Sequence, residues 1–591
     1  MKIKYIYLYW SFNLLCVHMK KITLLTLISI FSISMGYAQN IIYKPRPSEF
    51  EFQEIRNDSI IPLKTVDLTN KLTFESKLPY PILFIHGLNS SSETWNATTA
   101  YFSSQYGFTF GGRFDFCLNA DGNHGTANLN IFPTAGADIA AFETTMIEGE
   151  FYTLNFNVNT DGSIGTAALS NQSAIYKQGI AVKKAIERIM QLTGKNKVIL
   201  VGHSMGGLAS RQYLQNTNYW QTDNAHHVAK LLTLGTPHGG SNASDTGLGW
   251  FAGIDTKSEA IRDLKISYYY SGDAGRFLSG GIEVNNSSNM NEHLFGADFY
   301  NYDVNCSGNI GDNIIGLNIK PIDNVIDFSS VIGRITGGTT DGVVAEPQSI
   351  MDTYYTSLTY PTKFFYFNST FDYIENHTEL PGYYYEIMQG LDEPNFKELA
   401  YTVNTNKVYN GFTTLQSIPA NADQDFYKFT ISGGTMTTSV DITTITTSVM
   451  NASILDSSGN LIDTTVANSG NTLSFVRTLT PGDYFLKIVS TTPTNTNYQT
   501  PYNFVISTTL GIATNEINKV SFYPNPVKDI LYLDNISASK ATIYSLLGQQ
   551  LEIKNIQATS SNIDMSKYAK GIYLITLESE NQSQTIKVIK E

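Results

Sequence analysis

The sequence predicts an α/β domain built on a mostly parallel sheet, followed by two all-β modules of sandwich type. Between residues 80 and about 392, short apolar strands alternate with helical patterns, the rhythm of parallel strands joined by crossover helices. From about residue 396 the pattern changes to short period-two strands with Thr, Ser, Asn and Gly turns and almost no helical signal. That predicts one sandwich or jelly-roll module over 396–510 and a smaller one over 515–591. A chain of 591 residues is also too long for one core.

The elements follow in order. Met19-Lys20-Lys21, the apolar run 22–33 and Gly36-Tyr37-Ala38 have the layout of a signal peptide cut after Ala38. Residues 1–18 precede a complete signal, which points to Met19 as the start. The α/β domain then occupies 39–395. YPILFIHG (80–87), LNFNV (154–158) and KVILVG (197–202) read as buried strands. Between the last two, Val182, Ala185, Ile186, Ile189 and Met190 recur at helical spacing before Gly194, a stop signal. AKLLTLGTP (229–237), SVIGRITGG (330–338) and TKFFYFN (362–368) continue the strands. Residues 239–329 interrupt them with Gly, Asn and Ser-rich sequence, a helix-like SEAIRDLKI (258–266) and the aromatics Tyr268, Tyr269 and Tyr270, consistent with a lid or with surface elaboration.

Composition excludes several classes. Hydrophobic residues make up 42% and charged ones 15%, a balance of folded rather than disordered chains. Removing residues 1–38 takes away four lysines and no acids, moving the formal charge from −13 to −17, which disfavours a nucleic-acid partner or an anionic membrane surface. No segment after the signal reaches about 18 apolar residues, so no integral membrane span is expected. Outside the cytoplasm, Cys117 and Cys306 are candidates for one disulfide.

The catalytic candidates centre on Gly202-His203-Ser204-Met205-Gly206. A strand that turns sharply into a helix holds a serine in strained geometry, and side chains two residues to either side would strike neighbouring backbone. Ser204 is the nucleophile this predicts, with Gly202 and Gly206 forming the elbow; an inert turn is the plain alternative. A serine hydroxyl needs a base to take its proton and an acid to orient the base. After Ser204 the chain offers His226, His227, His238, His293 and His377. His377, following the last clear strand, is the preferred base, and His293 reads as a surface residue of the insertion. Asp341, in ITGGTTDGVV, is the preferred acid, with Asp372 and Glu375 in reserve. The oxyanion needs two N–H donors, for which Met205 and Leu88 are the candidates; His86 reads as structural at the same loop.

Together ILFIHGL, VGHSMGG, LGTPHGGS, TTDGVV and NHTELPG resemble α/β-hydrolases of the bacterial lipase and GPI inositol-deacylase-like group. The resemblance spans about 80–392 and implies Ser204 as nucleophile, Asp341 as acid, His377 as base, and Leu88 and Met205 as oxyanion donors. AIRDL (260–264) also looks like a segment of such lipases, whereas 239–329 departs from them. ANADQDFYKFTI (420–431) and LTPGDYFLKI (479–488) resemble a bacterial pre-peptidase C-terminal domain. Such modules can bind calcium; Asp423 and Asp425 are possible ligands, with a solvated turn the favoured reading. FYPNPVKDILYL, IYSLLGQQL and KGIYLITLE resemble the type IX secretion sorting domain, which implies passage through the periplasm of a Gram-negative bacterium and partnership with that machinery. The expectation is a secreted serine hydrolase of lipid or acyl esters that needs no cofactor, with calcium possible as a structural ion. Trp250, Phe251 and Tyr268 to Tyr270 would line an apolar lid or form the insertion's own core. An amidase or peptidase using the same triad, and a catalytically dead adhesin, are the alternatives.

Overall fold

The computed structural model describes residues 53–56, 59–62, 74–120, 141–246, 258–266, 291–510 and 520–591, apart from short breaks. The signal segment and Trp250, Phe251 and Tyr268 to Tyr270 lie outside the described residues.

The first ten strands form one sheet: β1 (Gln53–Arg56), β2 (Ser59–Pro62), β3 (Ile82–Ile85), β4 (Phe110–Phe116), β5 (Ala141–Glu143), β6 (Phe151–Asn155), β7 (Val198–His203), β8 (Val228–Leu234), β9 (Asp327–Ile335) and β10 (Lys363–Ser369). Their order is β10-β9-β8-β7-β3-β6-β4-β5-β1-β2. From β10 to β4 every pairing is parallel. The strands β3, β6, β7 and β8 are buried along their whole length, as parallel strands covered by helices on both faces must be. The helices are α1 (Asn96–Tyr101), α2 (Ile175–Thr193), α3 (Met205–Leu214), α4 (Glu259–Leu264), α5 (Glu292–Phe295), α6 (Glu346–Ser349), α7 (Ile374–Glu379) and α8 (Tyr384–Gly390).

The α2 pattern packs as its spacing demands: Val182, Ala185, Ile186 and Ile189 join Leu83, Leu154 and Leu200 in one core. Gly194 ends the helix at φ 65°, the left-handed conformation that glycine adopts most cheaply. Strand β4 is absent from the sequence reading because FGGRFDF carries a Gly-Gly pair of the kind that marks turns. Here the glycine is a packing device, since a Cβ at Gly111 would lie 2.1 Å from the Tyr152 ring. Cys117 and Cys306 are each a buried thiol rather than halves of a disulfide.

By its contacts the chain divides into two compact units. The first holds the large sheet and most of a sandwich, with one sheet of 401–402, 423–430, 482–490, 449–456 and 461–464 and another in which 408–411 pairs antiparallel with 502–505. The other unit includes 508–591, where 521–523, 530–536 and 559–564 form one antiparallel sheet and 550–555, 540–545, 571–578 and 583–590 another. Val527, Leu531, Ile543, Ile575 and Val588 belong to its core.

Candidate active site

Strand β7 ends at His203 and α3 begins at Met205, so Ser204 is the whole of the turn. Its backbone sits at φ 50°, ψ −123°, a strained region for a non-glycine residue. The surroundings hold it there: Ser204 N donates to Leu234 O at 2.8 Å, tying the elbow to the end of β8. A Cβ at Gly202 would lie 2.5 Å from Gly207 N, and one at Gly206 2.4 Å from Ile85 O. These contacts are with backbone, so both positions require glycine.

Asp341 follows β9 and is fully buried. Its Oδ1 accepts from Val343 N at 2.9 Å and Val344 N at 2.7 Å, leaving Oδ2 to meet His377 Nδ1 at 2.7 Å. A carboxylate fixed at one oxygen by two N–H groups aims the other, and this assigns the proton between them to Nδ1 of His377 and leaves Nε2 as the lone-pair nitrogen. The His377 ring centroid lies 4.9 Å from that of His203, the residue before Ser204. Of the reserves, Asp372 lies outside the described residues and Glu375 is placed only as part of α7. His226 pairs with Asp323 and His227 with Asp223, each at 2.9 Å, away from Ser204 in partnership. His293 corrects the sequence reading: it is buried, and the loss of solvation pushes its pKa down to about 4. The interruption at 239–329 hid this, because Glu292–Phe295 is a single short helical turn within it.

The loop after β3 carries the second proposed donor. His86 is buried, its pKa lowered to about 4 by desolvation. It accepts from Phe156 N at Nε2 (2.8 Å), so its proton is on Nδ1, which donates to Gly87 O at 2.8 Å. Asn171 Nδ2 donates to the same carbonyl at 3.3 Å, and Asn171 Oδ1 accepts from Asn89 N. Asn171 thus shapes the loop that carries the candidate donor Leu88, and no motif in the sequence flags it, since the contact spans more than eighty residues. Leu88 packs against the apolar cluster of Met205, Leu208, Leu264 and Leu294, which brings the two candidate donor residues to one place.

AIRDL lies in α4, where it caps another helix. Ala174 N donates to Glu259 Oε2 at 2.8 Å and Ile175 N to Asp263 Oδ2 at 3.0 Å. The two carboxylates therefore satisfy amides at the start of α2, where the helix dipole favours negative charge. Helix α4 of the insertion thus has a structural task at the start of α2.

Asp423 and Asp425 also correct the sequence reading. They lie in a buried strand rather than a solvated turn, and with Asp392 they bring one carboxylate oxygen each to within 4.8 Å of one another. The period-two pattern put both on one face, but it could not show that this face is covered. Lys363 Nζ meets Asp392 Oδ2 at 3.0 Å and Tyr502 OH donates to Asp425 Oδ2 at 2.6 Å. One oxygen on each of the three Asp residues, and Thr414 Oγ1, has no partner. Burial first, then the neighbouring carboxylates, raises the Asp423 and Asp425 pKa values well above the usual range.

With this geometry in place, comparison with known proteins is informative in two regions. Residues 79–263 match the model of the PGAP1-like alpha/beta domain, and residues 521–591 that of the secretion system C-terminal sorting domain. The ulvan lyase NLR42 of Nonlabens ulvanivorans is 37% identical over 78 residues, 13% of this chain, and the chain spans only 15% of that protein's length. Among solved structures, the Bacillus licheniformis lipase BlEst2 in its propeptide form is 14% identical, with TM-score 0.27 over 88% of this chain and 95% of that one. A Listeria innocua gene product is 12% identical, with TM-score 0.32 over 54% and 96% of the two chains. The pre-peptidase C-terminal domain of a Bacillus anthracis collagenase is 16% identical, with TM-score 0.15 over 20% and 99%. No described helix is long and apolar enough to cross a membrane. Residues 79–263 are a PGAP1-like alpha/beta domain of hydrolase type, and residues 521–591 are a sorting domain that marks the chain for export to the cell surface or the medium.

Proposed function

We propose that the chain is a serine hydrolase of carboxylic esters, with a lipid or other acyl ester as substrate, exported through the periplasm by the type IX machinery. The observation that carries this reading is the pairing of Asp341 Oδ2 with His377 Nδ1 at 2.7 Å beside a serine held at φ 50°. In this mechanism Ser204 Oγ attacks the ester carbonyl carbon while His377 Nε2 takes the hydroxyl proton. Asp341 holds the imidazole in the tautomer with a free Nε2 and stabilises the cation that forms. The Leu88 and Met205 N–H groups stabilise the oxyanion. His377 then returns the proton to the leaving alkoxide, and the acyl group remains on Ser204. Water, deprotonated by the same nitrogen, releases the acid and restores the serine. A p-nitrophenyl ester series of rising acyl length, run beside peptide and amide substrates, tests the bond class. Ester turnover is expected, and activity confined to amides or peptides would sink the ester reading.

We further propose that Asp392, Asp423 and Asp425 hold a structural calcium ion. Supporting this are a hard-oxygen donor set and buried carboxylate oxygens without partners; a cation would offset their mutual repulsion. Chelation should lower the melting temperature of the wild type by several degrees, calcium should restore it, and Asp425→Asn should blunt both responses. A wild type indifferent to chelator and to added calcium removes the ion from the account.

A further inference from the structure

His203 precedes the nucleophile, and the catalytic cycle above gives it no task. Its ring is buried at the end of β7. Its Nε2 lies 2.9 Å from the backbone oxygen of His377. A carbonyl oxygen only accepts, so the His203 proton is on Nε2 and the bond runs from His203 to His377. Nδ1 is then a bare acceptor, and it is buried without any donor. Burial and the neighbouring His377 hold the ring neutral, its pKa well below the ordinary histidine value. On its other side the ring meets the oxyanion loop, where a Cβ at Gly87 would lie 3.1 Å from His203 Nδ1 and 2.8 Å from Ser204 Cβ.

An unsatisfied buried nitrogen is a cost to folding. An aliphatic side chain would fill the same space without it. What the imidazole adds is an N–H that reaches the backbone carbonyl of the base. The base is also held as part of α7, by its ring bond to Asp341, and through the preceding Asn376, whose Nδ2 donates to Arg334 O at 3.0 Å. The ring bond by itself leaves the imidazole free to pivot about Nδ1. Anchoring the carbonyl to His203, the last residue of the strand that leads into Ser204, restrains that pivot, so nucleophile and base share one support. Displacements of about 1 Å cost about 100-fold in such arrangements.

We infer that His203 is a positioning residue for the hydrolytic reaction: by donating from Nε2 to the His377 carbonyl it fixes the distance between base and nucleophile. The inference rests on the reading of Ser204 and His377 as nucleophile and base.

The test compares two variants of matched length. His203→Gln keeps an N–H at the reach of Nε2, and His203→Met does not. For Gln, kcat should stay within about threefold of wild type; for Met it should fall about 30-fold or more at unchanged KM, since no substrate contact is lost. The rate of fluorophosphonate labelling should fall in parallel with kcat, and melting temperatures should match. If the Met variant fails to fold, His203→Ala takes its place against Gln. Equal activity of the donor and non-donor variants, or a Gln variant that folds but is as impaired as Met, overturns the inference. A wild type that fluorophosphonate does not label overturns the triad reading and this inference with it, whereas a labelled wild type beside an equally labelled Met variant overturns this inference alone.

Discussion

Ser204 owes its geometry to its neighbours rather than to its own side chain, because the strain at φ 50° is imposed by the tie from Ser204 N to Leu234 O and by the glycines around it. Removing its hydroxyl should therefore leave the fold intact. Ser204→Ala is expected to abolish turnover with a melting temperature within about 2 °C of wild type, and a large loss of stability would favour the inert turn. Asp341→Asn keeps an oxygen for the Val343 and Val344 amides but presents an amide to His377 Nδ1, which favours the wrong tautomer. By analogy with other triads kcat should fall about 10³ to 10⁴-fold, and full activity in this variant would exclude Asp341 as the orienting acid. The motif residues Ser204, Gly202, Gly206, Asp341 and His377 are legible in the sequence because each has a local signature, a turn, a strand end or a rank in chain order. Asn171 and the task inferred for His203 are not, since both depend on backbone atoms brought together from distant positions.

At the scale of elements, the strand, elbow and helix from β7 to α3 are fixed by close backbone approach. Gly206→Ala would set a methyl group 2.4 Å from Ile85 O, and no side-chain rotation relieves a clash with a carbonyl. The expected loss is about 1–3 kcal/mol on denaturant unfolding, accompanied by lost activity because α3 would be pushed from the oxyanion loop. A variant as stable and active as wild type would contradict this packing. Strands β3, β7 and β8 were readable because burial on both faces leaves continuous apolar runs, whereas β6 lies at Phe151–Asn155, three residues before the expected 154–158. Strand β4 was not, because Gly111 and Gly112 mimic a turn, while Gly111 in fact admits the Tyr152 ring. The same limit applies to Asp423 and Asp425: alternation identifies a face of the strand, and only the assembled unit shows that it is buried beside Asp392.

At the scale of the whole molecule, buried neutral histidines couple folding to pH. His86 and His293 titrate near 4 in the folded chain against an ordinary 6.5. On acidification the unfolded chain takes up these protons first, so the stabilisation is fully present above pH 6.5 and is lost as pH falls toward 4. Each contributes roughly 3 to 4 kcal/mol at most, at about 1.4 kcal/mol per unit. Unfolding free energy should therefore fall steeply between pH 6.5 and 4, and His293→Gln should flatten the slope by close to one proton; an unchanged slope would show that His293 titrates alike in both states. These effects act on stability, whereas the proposed chemistry rests on one hydroxyl. The most direct test is to treat the folded protein with a fluorophosphonate, digest it with trypsin and locate the adduct by mass spectrometry. Stoichiometric modification of Ser204, in the peptide 198–211, with concurrent loss of ester hydrolysis is the predicted result. A folded protein that hydrolyses esters while Ser204 stays unmodified would contradict it.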